Sequence, residues 1–405
     1  MTPMNRILLL HVSVGMGHQR AALALARTFA AVPNTAALVA DTLDYTHTWF
    51  RRGYVGAYLG MAAVAPRLWS QYYAQTDRPN RLMDGVRALS TRLGVHRIAA
   101  LIARAQSDAI VCTHFLPLEA LAQLRQQHLP PIYSVVTDYH AHQFWACPGV
   151  ARHFVPTAST REQLVAAGVD RRGVEVTGIP IDPAIGAPIE SDVARHALDL
   201  PADGPVVALI GSGLPTEQVR AMVVDVLAQP AVGTIVVAAG RNHDLVAGLD
   251  DLAHGAHPRL RVLGPQPSLT PLLASSDLVV SKAGGLTVSE VLALGVPMII
   301  PTAQLVGQER WNAAYVIEAG AGLGCESTSL VAQTIAEVLA APEHLARMRA
   351  AAQAIGRPAA AETIAALVLA DLEQRPAYCR STPHQSIPGW TGRSAARDAR
   401  AKVWQ

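Results

Sequence analysis

An α/β protein of two doubly wound halves is the fold class this sequence predicts, and three observations carry the prediction. The chain has 405 residues, enough for two domains that each bury a core. Two apolar stretches of strand length, residues 6–14 and 278–281, each run into a glycine turn and then an apolar helix. A third such unit starts at residues 206–210. Together they predict two Rossmann-like domains facing each other across a cleft: residues 1–178, residues 179–370, and a tail from 374 to 405.

Bulk composition narrows the function classes. Half the residues are apolar and 16% are charged, which fits a well-packed α/β chain. A net charge of +2 gives no argument for nucleic acid as a partner. Cys112, Cys147, Cys325 and Cys379 are scattered with no CxxC pair, so neither a disulfide framework nor a cysteine zinc site is expected, and a reducing cytosol is the default. The opening MTPMNRILLLHVSVGMGH has a basic residue before an apolar run. The run is short, contains His11 and passes straight into the glycine turn, so it reads as a buried first strand and not as a leader. No apolar run reaches the roughly eighteen residues of a spanning helix.

In the first half, residues 6–14 form a strand buried on both faces, as parallel strands are. Gly15-Met16-Gly17-His18 is the turn, and residues 19–31 are an alanine- and leucine-rich helix. A dinucleotide fingerprint would need glycine or alanine where Arg20 stands, although Asp41 and Asp44 lie at a ribose-binding distance, so a nicotinamide enzyme is disfavoured. Residues 47–104 change character. Trp49, Phe50, Tyr54, Tyr58, Trp69, Tyr72 and Tyr73 mix with nine arginines against only Asp77 and Asp84. Rings and cations on short helices suit the headgroup layer of an anionic membrane, with Trp49, Tyr54, Trp69 and Tyr72 as its contacts. A helical insertion packed on the sheet is the alternative.

Residues 109–113 and 132–137 are further strands, separated by a helix over 116–127. The second strand ends in Asp138-Tyr139-His140-Ala141-His142-Gln143-Phe144-Trp145, a loop expected at the carboxyl edge of the sheet, where ligands of open α/β folds bind. His140-x-His142 with Asp138 lacks a third ligand at a diagnostic spacing, so no metal is expected. Proline and glycine in residues 174–183 mark the interdomain linker.

The second half repeats the pattern: strand 206–210, turn Gly211-Ser212-Gly213, helix 217–227, and strands 234–239 and 259–263. Its turn either lends backbone N–H groups to a diphosphate or is a plain strand-to-helix turn. Strand 278–281 then feeds a glycine turn and a helix over 286–294, which Gly295 stops before strand 296–301. Such a turn leaves backbone N–H groups without partners at the positive end of the helix dipole, and Gly284, Gly285, Leu286 and Thr287 are therefore candidates to hold a nucleotide diphosphate. Glu290, one turn into the helix, suits two ribose hydroxyls. Gln308 and Glu309, after the next strand, suit sugar hydroxyls. Residues 327–370 are helical, closing the second domain and packing back on the first.

KAGGLTVSEVLALGVPMIIP followed by GQERWNA resembles the donor-binding segment of sugar-nucleotide glycosyltransferases of the two-Rossmann-domain (GT-B) fold. It is similar to the monogalactosyldiacylglycerol synthase / processive diacylglycerol glucosyltransferase family and to the related peptidoglycan N-acetylglucosaminyltransferase that forms lipid II. The resemblance gives Glu290 the uridine ribose and Gln308–Glu309 the donor sugar. A Gln-Glu pair is the habit of the diacylglycerol enzymes. HVSVGMGHQRAALAL resembles the families' N-terminal glycine loop, which implies that Gly17 and His18 face the acceptor. His18 is then either the base that deprotonates an acceptor hydroxyl, as a group with an unperturbed pKa near ~6.5 can, or a helix cap or phosphate ligand. VVTDYHAHQFW and the following VTGIPID resemble the diacylglycerol enzymes, bringing His142 and Trp145 to the acceptor side and making Asp138 a second candidate base. The match departs after Val150, where Ala151-Arg152 replaces the family's aspartate.

The resemblance implies an inverting, metal-independent transferase that moves a hexose from a UDP-sugar to a hydroxyl of diacylglycerol or a related lipid. It implies no cofactor beyond the UDP-sugar substrate, and a peripheral seat on an anionic membrane surface at the cytoplasmic face. A UDP-N-acetylglucosamine 2-epimerase, a transferase for a natural-product or polyprenyl acceptor, and a silent sugar-nucleotide binder remain as alternatives.

Overall fold

The computed structural model describes residues 5–64, 76–77, 97–124, 129–186, 189–211, 213–255 and 259–374. Two six-stranded parallel sheets organise them. The first has strand order β2-β1-β3-β4-β5-β6 and the second β12-β11-β10-β7-β8-β9.

In the first sheet β1 is Asn5–His11, β2 Thr35–Asp41, β3 Ala109–Cys112, β4 Ile132–Val135, β5 Val150–Val155 and β6 Val174–Val176. Leu8, Leu9 and Leu10 are wholly buried because helices cover both faces of β1. On one face the Gly17–Ala30 helix sets Leu25 and Phe29 against Ile7, Leu9 and Val111. On the other, Ile98, Leu101 and Ile102 of the Ile98–Ala105 helix meet Leu8, Leu10 and Ile110. Of the expected linker 174–183, Val174–Val176 is instead the edge strand, paired with His153–Val155. Three strand residues between turns are too short to show a period.

In the second sheet β7 is Val206–Ile210, β8 Thr234–Ala238, β9 Leu260–Leu263, β10 Leu278–Val280, β11 Met298–Pro301 and β12 Gly322–Cys325. Val219, Met222, Val223 and Val226 of the Thr216–Leu227 helix and Val331, Ile335 and Val338 of the Thr328–Leu339 helix join its core.

The chain divides into two compact units, one of Met1–Pro183 with the residues from Ala359 onward, the other of Ala184–Pro358. The expected boundaries shift accordingly, to residue 183 and residue 359. The predicted helical stretch 327–370 is three helices, Thr328–Leu339, Pro342–Ile355 and Ala360–Glu373, and the last belongs to the first unit. Its Ala361, Ile364, Ala365, Val368 and Leu372 pack into the core beside Leu25 and Phe29. Arg152, at the position that departs from the family pattern, pins this helix. Its guanidinium donates to Asp371 at 2.8 and 3.1 Å and to Glu175 at 2.8 Å.

Candidate functional site

Each sheet reverses its strand order at one place, between β1 and β3 in the first and between β7 and β10 in the second. Ligands of open α/β sheets bind beyond the carboxyl ends of strands at such a point. Predicted site residues among those described lie at these two places, one in each unit.

In the first unit, β1 ends at His11, and the turn passes through Gly15, whose φ of +78° is a backbone region that disfavours any side chain. The Gly17–Ala30 helix follows with no side-chain cap and no acid in its first turn. His18 is half-buried there. Its Nδ1 lies 2.8 Å from the Thr113 carbonyl oxygen and 2.9 Å from the Thr137 hydroxyl. A carbonyl oxygen only accepts, so Nδ1 carries the proton and Nε2 keeps its lone pair. The Thr113 hydroxyl donates back to the His18 carbonyl at 2.8 Å and locks the turn to β3. The His114 ring stands edge-on to His18 at 4.5 Å. Burial, opposed by the bond to Thr113 and reinforced by His11, lowers the His18 pKa to about 4, and the same crowding lowers those of His11 and His114. His18 is therefore neutral at pH 7, with the tautomer a general base needs.

Asp138 sits partly buried on the bend after β4. His142 and Trp145, predicted on the acceptor surface, are instead buried, at 0% and 3% exposure. His142 Nδ1 accepts the Phe144 N–H at 3.3 Å and caps the Gln143–Trp145 turn, and Trp145 packs on Phe115. Their apolar surroundings explain the difference, since both belong to the interior beneath this edge. Asp77 accepts from His140 Nε2 at 2.7 Å and from the Gln143 N–H at 3.0 Å. Burial pushes the Asp77 carboxyl up, but these bonds outweigh it and the pKa is lowered. Among the described residues no group of three His, Cys, Asp or Glu side chains could hold a metal.

The aromatic segment begins on the Thr48–Val64 helix. Phe50 is buried and Tyr54 partly so, both against Val12 and Val14 at the end of β1, while Trp49 is 58% exposed. Packing on the sheet therefore accounts for Phe50 and Tyr54, while Trp49 is left at the surface. Trp69 and Tyr72 lie outside the described residues, as does Ser212.

In the second unit, β10 turns through Lys282, Ala283 and Gly284 into the Gly285–Ala293 helix. That helix has no side-chain cap and no acid in its first turn. Among the described residues the amides of Gly285, Leu286 and Thr287 have no acceptor, because the first helical bond is Val288 N–H to Gly284 O, at 2.9 Å. They form an anion-binding set. Gly284 does not join them, since its own N–H donates to Lys282 O at 2.9 Å. Gly211 is likewise removed from the predicted diphosphate donors. Its N–H bonds to Ala238 O at 3.1 Å, so the β7 end offers Gly213 alone among the described residues. Glu290 is 2% exposed on the same helix.

Gln308 and Glu309 open the Glu309–Glu318 helix beside this turn. Glu309 Oε1 accepts from Lys282 Nζ at 2.7 Å, and the buried Asn312 side chain donates to Ala283 O at 2.9 Å. Lys282, Asn312, Thr113 and Thr137 were not among the residues expected at the site. The one available signal was that the lysine and the asparagine stand inside the two quoted motifs.

The family profile described as "Monogalactosyldiacylglycerol (MGDG) synthase" matches residues 18–181, and the "Glycosyltransferase family 28 C-terminal domain" matches residues 219–364. A processive diacylglycerol beta-glucosyltransferase of Bacillus cereus (strain AH187) is 26% identical over 375 residues, covering 92% of this chain and 95% of that protein. One from Staphylococcus carnosus (strain TM300) is 29% identical over 256 residues, 63% of this chain and 65% of the relative. Among solved structures, the UDP co-structure of MnaA from S. aureus has a TM-score of 0.60 at 15% identity, covering 92% of this chain and 99% of that one. MurG of Acinetobacter baumannii also gives 0.60 at 15%, covering 90% and 99%. These two establish the GT-B fold. With both family profiles in chain order and relatives aligned over nearly the whole length, the chain is a GT-B glycosyltransferase similar to the monogalactosyldiacylglycerol synthase / processive diacylglycerol glucosyltransferase family.

Proposed function

We propose that this chain is an inverting transferase that moves a hexose from a UDP-sugar to a hydroxyl of diacylglycerol or a related lipid, at the cytoplasmic face of an anionic membrane. The observation that carries the reading is the uncapped first turn of the Gly285–Ala293 helix, where three amides stand ready at the β7/β10 reversal. A diphosphate seated there would place its ribose toward Glu290 and its sugar toward Gln308 and Glu309. In the first unit His18 Nε2 takes the acceptor proton. The acceptor oxygen bonds to the anomeric carbon, and the electron pair of the breaking C–O bond leaves on the diphosphate, where fixed amide dipoles meet its charge. This route passes no step through a metal or other cofactor. A single displacement inverts the anomeric configuration.

The diacylglycerol glucosyltransferase activity for which the B. cereus and S. carnosus relatives are named supports diacylglycerol as acceptor and glucose as sugar. Trp49, exposed beside Arg51 and Arg52, suits contact with the headgroup layer. No helix among the described residues is long and apolar enough to cross a membrane, so the proposed seat is peripheral.

A donor-by-acceptor screen with products read by mass tests the reading. UDP release that depends on diacylglycerol, with a hexose added to the lipid, is the expected result. Conversion of UDP-N-acetylglucosamine without any acceptor would point to an epimerase and overturn it. Transfer only to a polyprenyl or natural-product acceptor would overturn the lipid assignment.

A further inference from the structure

We propose that Lys282 binds the β-phosphate of the nucleotide and meets the charge that develops there as the sugar leaves, with Glu309 holding the ammonium in place until the nucleotide arrives. The proposal rests on the donor-site reading above and adds a residue to it.

Lys282 stands at the junction of the three segments assigned to the donor. It lies in the turn after β10, three residues ahead of Gly285, the first residue of the uncapped helix. Its Nζ is 2.7 Å from Glu309 Oε1, at the start of the next helix. Its stem runs against Gly213 in the turn after β7, where an added Cβ would stand 2.8 Å from Lys282 Cε. Gly213 also has a φ of +84°, which disfavours a side chain there, and the lysine passes over bare backbone. Two strand ends and a helix start thus surround one ammonium at the reversal point of the sheet.

The chemistry of the pair favours exchange. A lysine ammonium has three N–H donors, and among the described residues Glu309 takes one of them. The side chains are 32% and 10% exposed, so the ammonium still reaches solvent while the carboxylate is nearly buried. A diphosphate arriving at the Gly285–Thr287 amides brings more negative charge than one carboxylate and is the stronger partner for a point cation. When the anomeric C–O bond breaks, its electron pair adds to the charge on the β-phosphate, so an ammonium there stabilises the transition state more than the ground state. Lys282 stays protonated throughout, and the acceptor proton goes to His18. Once released, the Glu309 carboxylate can accept from the donor sugar's hydroxyls. The same two residues then serve the empty and the occupied site.

The competing account is that Lys282 merely ties the turn to the Glu309–Glu318 helix. Titration calorimetry of the full chain with UDP and with UMP separates the two, using wild type, Lys282→Met, Lys282→Arg and Glu309→Gln. The proposal expects wild type to prefer UDP, and Lys282→Met to lose about tenfold of that preference while UMP affinity holds. Turnover with the UDP-sugar should drop more in kcat than KM rises, and Lys282→Arg should recover part of both. Glu309→Gln frees the ammonium and should keep or raise the UDP preference. Equal loss of UDP and UMP in Lys282→Met, no loss of either, or a lower UDP preference in Glu309→Gln would each overturn the proposal. Wild type that binds neither nucleotide would overturn the donor reading and this assignment with it.

Discussion

The Gly17–Ala30 and Gly285–Ala293 helices begin alike and serve opposite chemistry. Both follow a buried strand through a glycine turn, both lack a side-chain cap, and neither has an acid in its first turn. The first carries at its second position a histidine whose charge is suppressed by burial and, less, by the neighbouring His11 imidazole. The second stands beside a lysine and a glutamate paired at 2.7 Å. One scaffold therefore holds a neutral imidazole in the first unit and an ion pair in the second. The difference lies in what packs around each turn: Thr113, His114 and Thr137 at one, and Glu309 and Asn312 at the other.

If this contrast is right, removing the base should hurt chemistry and spare binding. His18→Ala is expected to lower kcat by about a hundred- to ten-thousand-fold, the usual range for a positioned acid or base, with UDP affinity unchanged in a calorimetric titration. Glu290→Ala should do the reverse. Losing a buried acceptor that bonds two ribose hydroxyls should weaken UDP by about ten- to a hundredfold, read by the same titration.

Acid sharpens the contrast through the imidazoles. Between about pH 6.5 and 4 the folded His11, His18 and His114 bind fewer protons than they do in the unfolded chain, so stability rises with pH across that window and is lost as pH falls through it. Thermal melts from pH 7 to 4.5 should show a falling midpoint, and His114→Gln should flatten the decline. Until the fold gives way, kcat/KM should not show the fall near pH 6.5 that an ordinary histidine base would cause. The smallest effect is expected at the surface. Trp49→Ala should weaken co-sedimentation with anionic vesicles by about a few-fold, since one interfacial ring is only part of the attraction.

The sheets were legible because their strands are nearly continuous apolar runs, ILLL in β1 and MIIP in β11, and because each run meets glycine. The return of the last helix to the first domain was legible too, but not the contact that fixes it, since Arg152 reaches Asp371 across 219 positions. In the site, the motif pointed to His18 and Glu290 because turns fix residues close in sequence. The His18 tautomer depends on a carbonyl 95 positions away, and the Lys282–Glu309 pair spans 27. No local pattern records either. Gly211 shows the converse, since its turn looked like a phosphate loop while its amide belonged to the sheet.

The most direct test of the account is the ratio of UDP affinity to turnover in His18→Ala and Glu290→Ala, measured side by side on the full chain with diacylglycerol and the active UDP-hexose. The account predicts a crossed result, with His18→Ala binding UDP like wild type but nearly inert, and Glu290→Ala binding it poorly while regaining much of its rate at saturating donor. A His18→Ala protein that turns over normally, or a Glu290→Ala protein that holds UDP as tightly as wild type, would contradict it.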